Sequence, residues 1–200
     1  MNSRRLRALP LAAAAVLTPT LAFAHTGVGD THGLIHGFMH PVTGLDHVLA
    51  MVTVGILAWQ LGGRALWALP GAFLAAMAVG GGLGMAGADV PFVELGIALS
   101  VVVLGAAVAL GARAPLAVAV GLVGFFAIFH GHAHGTEMPA DAGGLAYGFG
   151  FMLGTTLLHL AGLATGVLIG RLAESRGQSC VRGAGGLICI AGLLIATGIL

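Results

Sequence analysis

The chain has 200 residues, of which 58% are hydrophobic and only 8% charged, and its formal net charge is +1. Soluble globular domains carry about a quarter charged residues, so this composition excludes an ordinary soluble domain. The near-neutral charge gives no sign of a nucleic-acid partner, and none is predicted. Apolar runs long enough to cross a bilayer recur along almost the whole chain, which indicates a polytopic membrane protein surrounded by lipid.

The first 24 residues have the pattern of a secretory signal peptide. Three arginines precede a short apolar core, LPLAAAAVL, and an A-x-A cleavage signal follows at Ala22-Phe23-Ala24. Pro10, Pro19 and the shortness of the core disfavour the alternative, an uncleaved first helix. Cleavage would place His25 at the new N-terminus, where its free amine and its imidazole could chelate a metal together.

After the signal peptide, residues 25–200 are predicted to form a single all-α domain, a bundle of about six transmembrane helices with short connections. The predicted spans are 34–61, 65–86, 92–112, 114–131, 145–170 and 184–200. The first span is expected to break near Pro41 and Gly44. Glycines at every fourth residue, as at Gly162 and Gly166, predict close contact between helices.

The arginines give an orientation. With His25 outside, the inner connections lie at 62–64, 113–114 and 171–183, and they hold every arginine of the mature chain: Arg64, Arg113, Arg171, Arg176 and Arg182. This distribution agrees with the positive-inside rule. We therefore expect a multi-pass protein of the bacterial inner membrane, with both the mature N-terminus and the C-terminus in the periplasm.

The motif HPVTGLDH carries the leading candidate site, at His36, His40, Asp46 and His47. On a continuous helix the three imidazoles would fall within about 40° of one another, and an opened turn would let Asp46 approach them. Neutral imidazoles with one carboxylate suit Ni²⁺, Co²⁺, Zn²⁺ or Cu²⁺. The alternative places the histidines in a wet loop with Asp46 as a helix N-cap. Ionisable residues within a membrane are costly, which favours the functional interpretation.

Secondary candidates lie elsewhere along the chain. The tract FHGHAHGTE suggests a flexible, solvent-wet strip that captures metal rather than a rigid site. Glu94 follows Pro91 at the start of a span, where an acid near a helix N-terminus is an equally good explanation. For His159 we expect a satisfied polar contact between helices, and a place in an ion pathway second. The secondary metal candidates are His25, His32, Glu94, His130, His132, His134 and Glu137.

These motifs resemble those of the HupE/UreJ family of nickel and cobalt permeases. The resemblance covers essentially the whole mature chain and rests on HPVTGLDHVLAMVTVG, PFVELGIALSVVVLG and FHGHAHGTEMP. It implies an inner-membrane protein of six helices that imports Ni²⁺ for hydrogenase or urease maturation. It also implies that His40, Asp46 and His47 take part in transport, with His36 beside them.

The residues favour a permease that moves Ni²⁺, or else Co²⁺, inward, without a permanently bound cofactor and without catalysis. No G-x-x-x-x-G-K-[ST] motif occurs, so nucleotide hydrolysis by that route is excluded. Because ligation requires neutral imidazole, transport should weaken as pH falls through about 6.5. The alternative is a membrane subunit that binds b-type haem, between His47 and His159, or another metal without transporting it. The choice of metal, the energy source, homo-oligomer formation and a metal-delivering partner are left open.

Overall fold

A computed structural model of the chain describes residues 33–138, 143–172 and 176–200. The predicted signal peptide, His25 and His32 lie outside these residues. The described part is all-helical and contains no strand. Its helices are α1 (Gly33–Thr43), α2 (Leu45–Leu61), α3 (Ala65–Met85), α4 (Val93–Leu110), α5 (Leu116–Thr136), α6 (Gly144–Leu172) and α7 (Gly177–Ala196).

Helices α3 to α7 are each long and apolar enough to cross a membrane. Helices α1 and α2 are separately too short, but together they form a bent pair that can count as a sixth span. Large apolar side chains such as Trp67, Phe125 and Leu187 are more than half exposed along these helices. Such surfaces are unfavourable in water and suited to lipid, so the fold is a multi-pass membrane bundle.

The break in the first span lies at Gly44, as the sequence predicted. Gly44 has extended backbone angles and is the N-cap of α2, and the two helices meet at 82°. Pro41 lies inside α1 and is buried against Gly154 of α6. The bend replaces the continuous helix on which His36, His40 and His47 would have shared one stripe. His40 and His47 are therefore carried by different helices.

Small residues bring the helices into backbone contact. Helix α3 packs along α5, α4 along α7, and both α1 and α2 along α6. A Cβ atom added at Gly80 would collide with the carbonyl of Ile128, and one added at Gly131 with the carbonyl of Met77. The glycine spacing in the sequence thus correctly predicted close packing.

Two helix ends differ from the sequence prediction. Helix α5 continues to Thr136, five residues beyond the predicted end of its span, because the histidines of FHGHAHG are packed against neighbouring helices instead of lying in water. Helix α7 begins at Gly177 instead of near residue 184. Hydropathy marks only the apolar part of a helix, and polar residues can extend it beyond the lipid.

We predict that Gly131→Ala destabilises the bundle while Gly121→Ala, on the same helix, does not. The new methyl group at position 131 would meet the backbone of α3, whereas nothing lies within 4 Å of a Cβ at position 121. Alanine also favours a helix over glycine by about 1 kcal/mol, so Gly121→Ala should be neutral or slightly stabilising. Thermal unfolding of the purified proteins in detergent measures both effects, and equal melting temperatures would contradict the packing described above.

Candidate metal-binding site

Asp46 orients His47. The Nδ1–H of His47 donates a hydrogen bond to Oδ1 of Asp46 at 2.7 Å, and the backbone N–H of His47 donates to the same oxygen at 2.7 Å. Asp46 is therefore a first-turn residue of α2 and not its N-cap, which is Gly44. With Nδ1 protonated, Nε2 of His47 carries a lone pair, and it is buried without a partner among the described residues. A carboxylate that fixes the tautomer of a histidine is the usual second partner of a metal-binding imidazole.

Ser100 of α4 fixes His130 in a similar way. The hydroxyl of Ser100 donates to the carbonyl of Ile97 at 2.6 Å, so its oxygen accepts the Nε2–H of His130 at 2.8 Å. The remaining lone pair of His130 is on Nδ1, which is buried and has no partner among the described residues. Sequence analysis missed Ser100, although a lone serine within the apolar run GIALSVVV was a visible signal.

His134 of α5 lies against His40 of α1 and His47 of α2. The ring of His134 lies 4.6 Å from that of His40 and 4.4 Å from that of His47, measured between centroids. The ring of His130 lies 4.7 Å from that of His47. Both nitrogens of His134 are buried without a partner in the described part of the chain. We call this group, with Glu137, the histidine cluster: His40, His47, His130, His134 and Glu137.

Glu137 lies at the end of α5 and accepts a hydrogen bond from Nε2 of His40 at 3.0 Å. That hydrogen bond holds the pKa of the Glu137 carboxyl below its usual range, so the group is ionised near neutral pH. One donor atom from each of His40, His134 and Glu137 lies within 4.8 Å of the others. Two imidazoles and a carboxylate at this separation can close around one divalent cation with small side-chain movements.

The structure separates some candidates from this cluster. His132 is buried, but its Nε2–H donates to the carbonyl of Ala88 at 2.7 Å, on another side of α5. Glu94 is exposed in the first turn of α4 and makes no hydrogen bond or ion pair with the described residues. His36 is exposed at the edge, with its ring 6.1 Å from that of His40.

Two expectations were wrong. The tract FHGHAHGTE is not a flexible, wet strip, because His130, His132 and His134 lie within α5 and are at most 6% exposed. His159 does not make a satisfied polar contact, since neither ring nitrogen has a hydrogen-bond partner among the described residues. In both cases the sequence pattern showed polar residues but not the helices that would surround them.

Comparison with known proteins agrees with this helix arrangement and these motifs. The family model described as HupE / UreJ protein matches residues 13–195. The chain is also 43% identical over 185 residues to Protein HupE of Rhizobium leguminosarum bv. viciae, covering 92% of this chain and 95% of that protein. No solved structure gives a significant match.

The chain belongs to the HupE/UreJ family. Members of this family are transporter-type membrane proteins associated with nickel and cobalt uptake, not enzymes. A divalent metal ion is accordingly the class of substrate that the family supports.

Within this HupE/UreJ chain, aromatic residues of α6 close one side of the cluster. The ring of Phe151 lies 4.0 Å from that of His134, and the ring of Tyr147 lies 6.0 Å from that of His40. Tyr147 and Phe151 are stacked on each other and almost fully buried. Sequence analysis did not single them out, because a tyrosine and a phenylalanine four residues apart are equally typical of ordinary helix packing.

We predict that Asp46→Asn lowers the affinity of the purified protein for Co²⁺ by about 10- to 100-fold, because His47 loses the carboxylate that fixes its tautomer. Asp89→Asn removes an exposed carboxylate outside the cluster and is the matched control. Titration followed by visible absorption of bound Co²⁺ measures both. Unchanged affinity in Asp46→Asn would show that this carboxylate does not act on the metal site.

Proposed function

We propose that this protein is an uptake permease that carries Ni²⁺, or else Co²⁺, from the periplasm to the cytoplasm through the histidine cluster. Family membership supports metal transport as the general activity. The specific support is the set of lone-pair nitrogens on His47, His130 and His134, which are buried and unpartnered in the described part of the chain. Nitrogen donors of this kind suit late first-row divalent metals.

Buried polar groups normally find partners, because leaving one unpaired costs about 1–3 kcal/mol. Three buried histidines with nitrogens unpaired among the described residues, and with rings that follow one another at 4.7 and 4.4 Å, are difficult to explain as packing alone. A transported cation explains them, since it would use the nitrogens only while passing. The nickel would then supply hydrogenase or urease maturation in the cell.

Entry would begin at Glu137 and His40, the most exposed members of the cluster. The charge of Glu137 favours arrival of a cation, and the neutral nitrogens of His40 and His134 replace part of its water shell. Transfer to His47 and His130 needs only a short movement, because their rings lie within 4.7 Å of neighbouring rings of the cluster. Occupancy of few ligands at a time keeps the affinity moderate, which release to the other side requires.

Two histidines of α5 provide a matched test of the proposed route. We predict that His134→Gln abolishes uptake of radiolabelled nickel by cells that express this chain, because it removes an imidazole from the cluster. His132→Gln should retain most of the uptake, since glutamine can still donate to the carbonyl of Ala88 and His132 lies outside the cluster.

The two variants change residues of one type, both buried, two positions apart on one helix. Membrane levels measured by immunoblot correct for folding. Equal uptake by the two variants, whether high or low, would contradict the assignment of the route to this cluster. Competition by Co²⁺, Zn²⁺ and Cu²⁺ in the same assay ranks the metals.

The proposed orientation places the cluster, the start of α1 and the end of α7 on the periplasmic side. We predict that alkaline phosphatase fused after Leu200 is active, because this enzyme folds only outside the cytoplasm. The same fusion after Arg113 should be inactive, because that residue connects α4 to α5 on the arginine-bearing side. The reverse pattern would invert the direction of transport proposed here.

A further inference from the structure

His159 lies deeper in the bundle than the histidine cluster. Tyr147, Phe151, Thr155 and His159 recur at every fourth residue of α6, and each is at most 5% exposed. At 1.5 Å per residue, His159 is about 18 Å along the helix from Tyr147, which lies beside His40. His159 is also close to the midpoint of α6, whose ends are Gly144 and Leu172.

His159 is buried without a polar partner in the part of the chain that the structure describes. The residue is 2% exposed, and neither Nδ1 nor Nε2 has a hydrogen-bond partner among the described residues. An imidazole must carry at least one N–H and, when neutral, one lone pair, so both are left unsatisfied. A phenylalanine or leucine would fill this position at a lower free-energy cost. The presence of a histidine therefore needs an explanation other than packing.

Phe73 of α3 lies beside both His159 and the cluster. Its ring is 5.6 Å from that of His130 and 5.0 Å from that of His159, the latter in an edge-to-face arrangement. Phe73 is 0% exposed. One buried aromatic ring therefore borders both His130 of the cluster and His159.

Two further donor atoms lie one helical turn from His159 and from Phe73, on α6 and α3. Thr155 is one helical turn before His159 on the same face of α6, and its hydroxyl donates to Sδ of Met77 at 3.8 Å. Both residues are at most 1% exposed. The oxygen of Thr155 keeps lone pairs, and a thioether is a soft, weak ligand.

We propose that His159, with Thr155 and Met77, is a second and inner binding site for divalent transition metals, next to Phe73. This inference rests on the proposed function for its role in transport but not for the binding itself. The donors are neutral and few, so the site binds more weakly than the cluster. A weaker site further along the route lets the ion advance without being trapped.

The test compares two variants of similar volume, His159→Leu without a donor atom and His159→Met with one. Purified wild-type protein should bind one more equivalent of Co²⁺ than His159→Leu, and His159→Met should recover part of the difference. Nickel uptake should fall about 10- to 100-fold in His159→Leu, the range typical when a residue that supports a metal site is lost. The fall should be smaller in His159→Met. The tighter Co²⁺ binding at the cluster should be the same in all three proteins.

Thermal unfolding gives a readout that separates binding from packing. His159→Leu should be at least as stable as the wild type, because it replaces an unpartnered buried imidazole with an apolar side chain. Equal Co²⁺ stoichiometry in wild type and His159→Leu would overturn the inner site, as would loss of folding in His159→Leu. A wild type that binds the extra equivalent but takes up no nickel would instead overturn the proposed transport and leave the inner site standing.

Discussion

The geometry of the site depends on the bend at Gly44. If α1 and α2 were one helix, His40 and His47 would lie about 10 Å apart along its axis and could not both reach His134. The 82° bend turns the two helices so that their imidazoles approach α5 from different directions. A Cβ at position 44 would lie 2.9 Å from Oδ1 of Asp46 and 3.1 Å from Nδ1 of His47, so a side chain there would displace the hydrogen bond between these two residues. Gly44 therefore lies at the break in the helix and also leaves room for the hydrogen bond that orients His47.

The bundle around this bend tolerates unsatisfied polar atoms in its interior. Nitrogens of His47, His130, His134 and His159 are buried without partners in the described part of the chain, each at a cost of about 1–3 kcal/mol. The backbone contacts between glycine-bearing helices, as between α3 and α5, offset this cost by packing and leave little freedom for the helices to separate. Under the proposed function, rigid helices with unpaired nitrogens between them would let a cation occupy the site transiently without collapse of the site.

Sequence reasoning recovered the helices more fully than the site. Apolar length and short connections were enough to predict the membrane-spanning helices, and Pro41 with Gly44 was enough to predict the break. The histidines of α5 could not be sorted in the same way, because alternation in FHGHAHG is equally compatible with a loop and with a helix. Only the contacts of the His134 ring with His40 and His47 show that His134 joins the cluster, whereas His132 turns to the carbonyl of Ala88. Asp46 was predicted as a metal ligand beside the imidazoles. In the structure it accepts two hydrogen bonds from His47, an arrangement that no sequence pattern reveals.

Under the proposed function, charge along the route would let the histidine cluster bind a cation and still release it. Glu137 lies at the edge of the cluster and supplies the carboxylate that can share a cation with His40 and His134. Asp46 is held by two hydrogen bonds from His47, so it offers its negative charge to a nearby cation without entering the set of ligands. In a medium of low dielectric constant that charge still lowers the energy of a cation at His47 or His130. A second direct carboxylate would bind the cation too strongly to release it, whereas no carboxylate at all would leave a doubly charged ion unstable among neutral imidazoles. Placing Asp46 behind an imidazole satisfies both requirements.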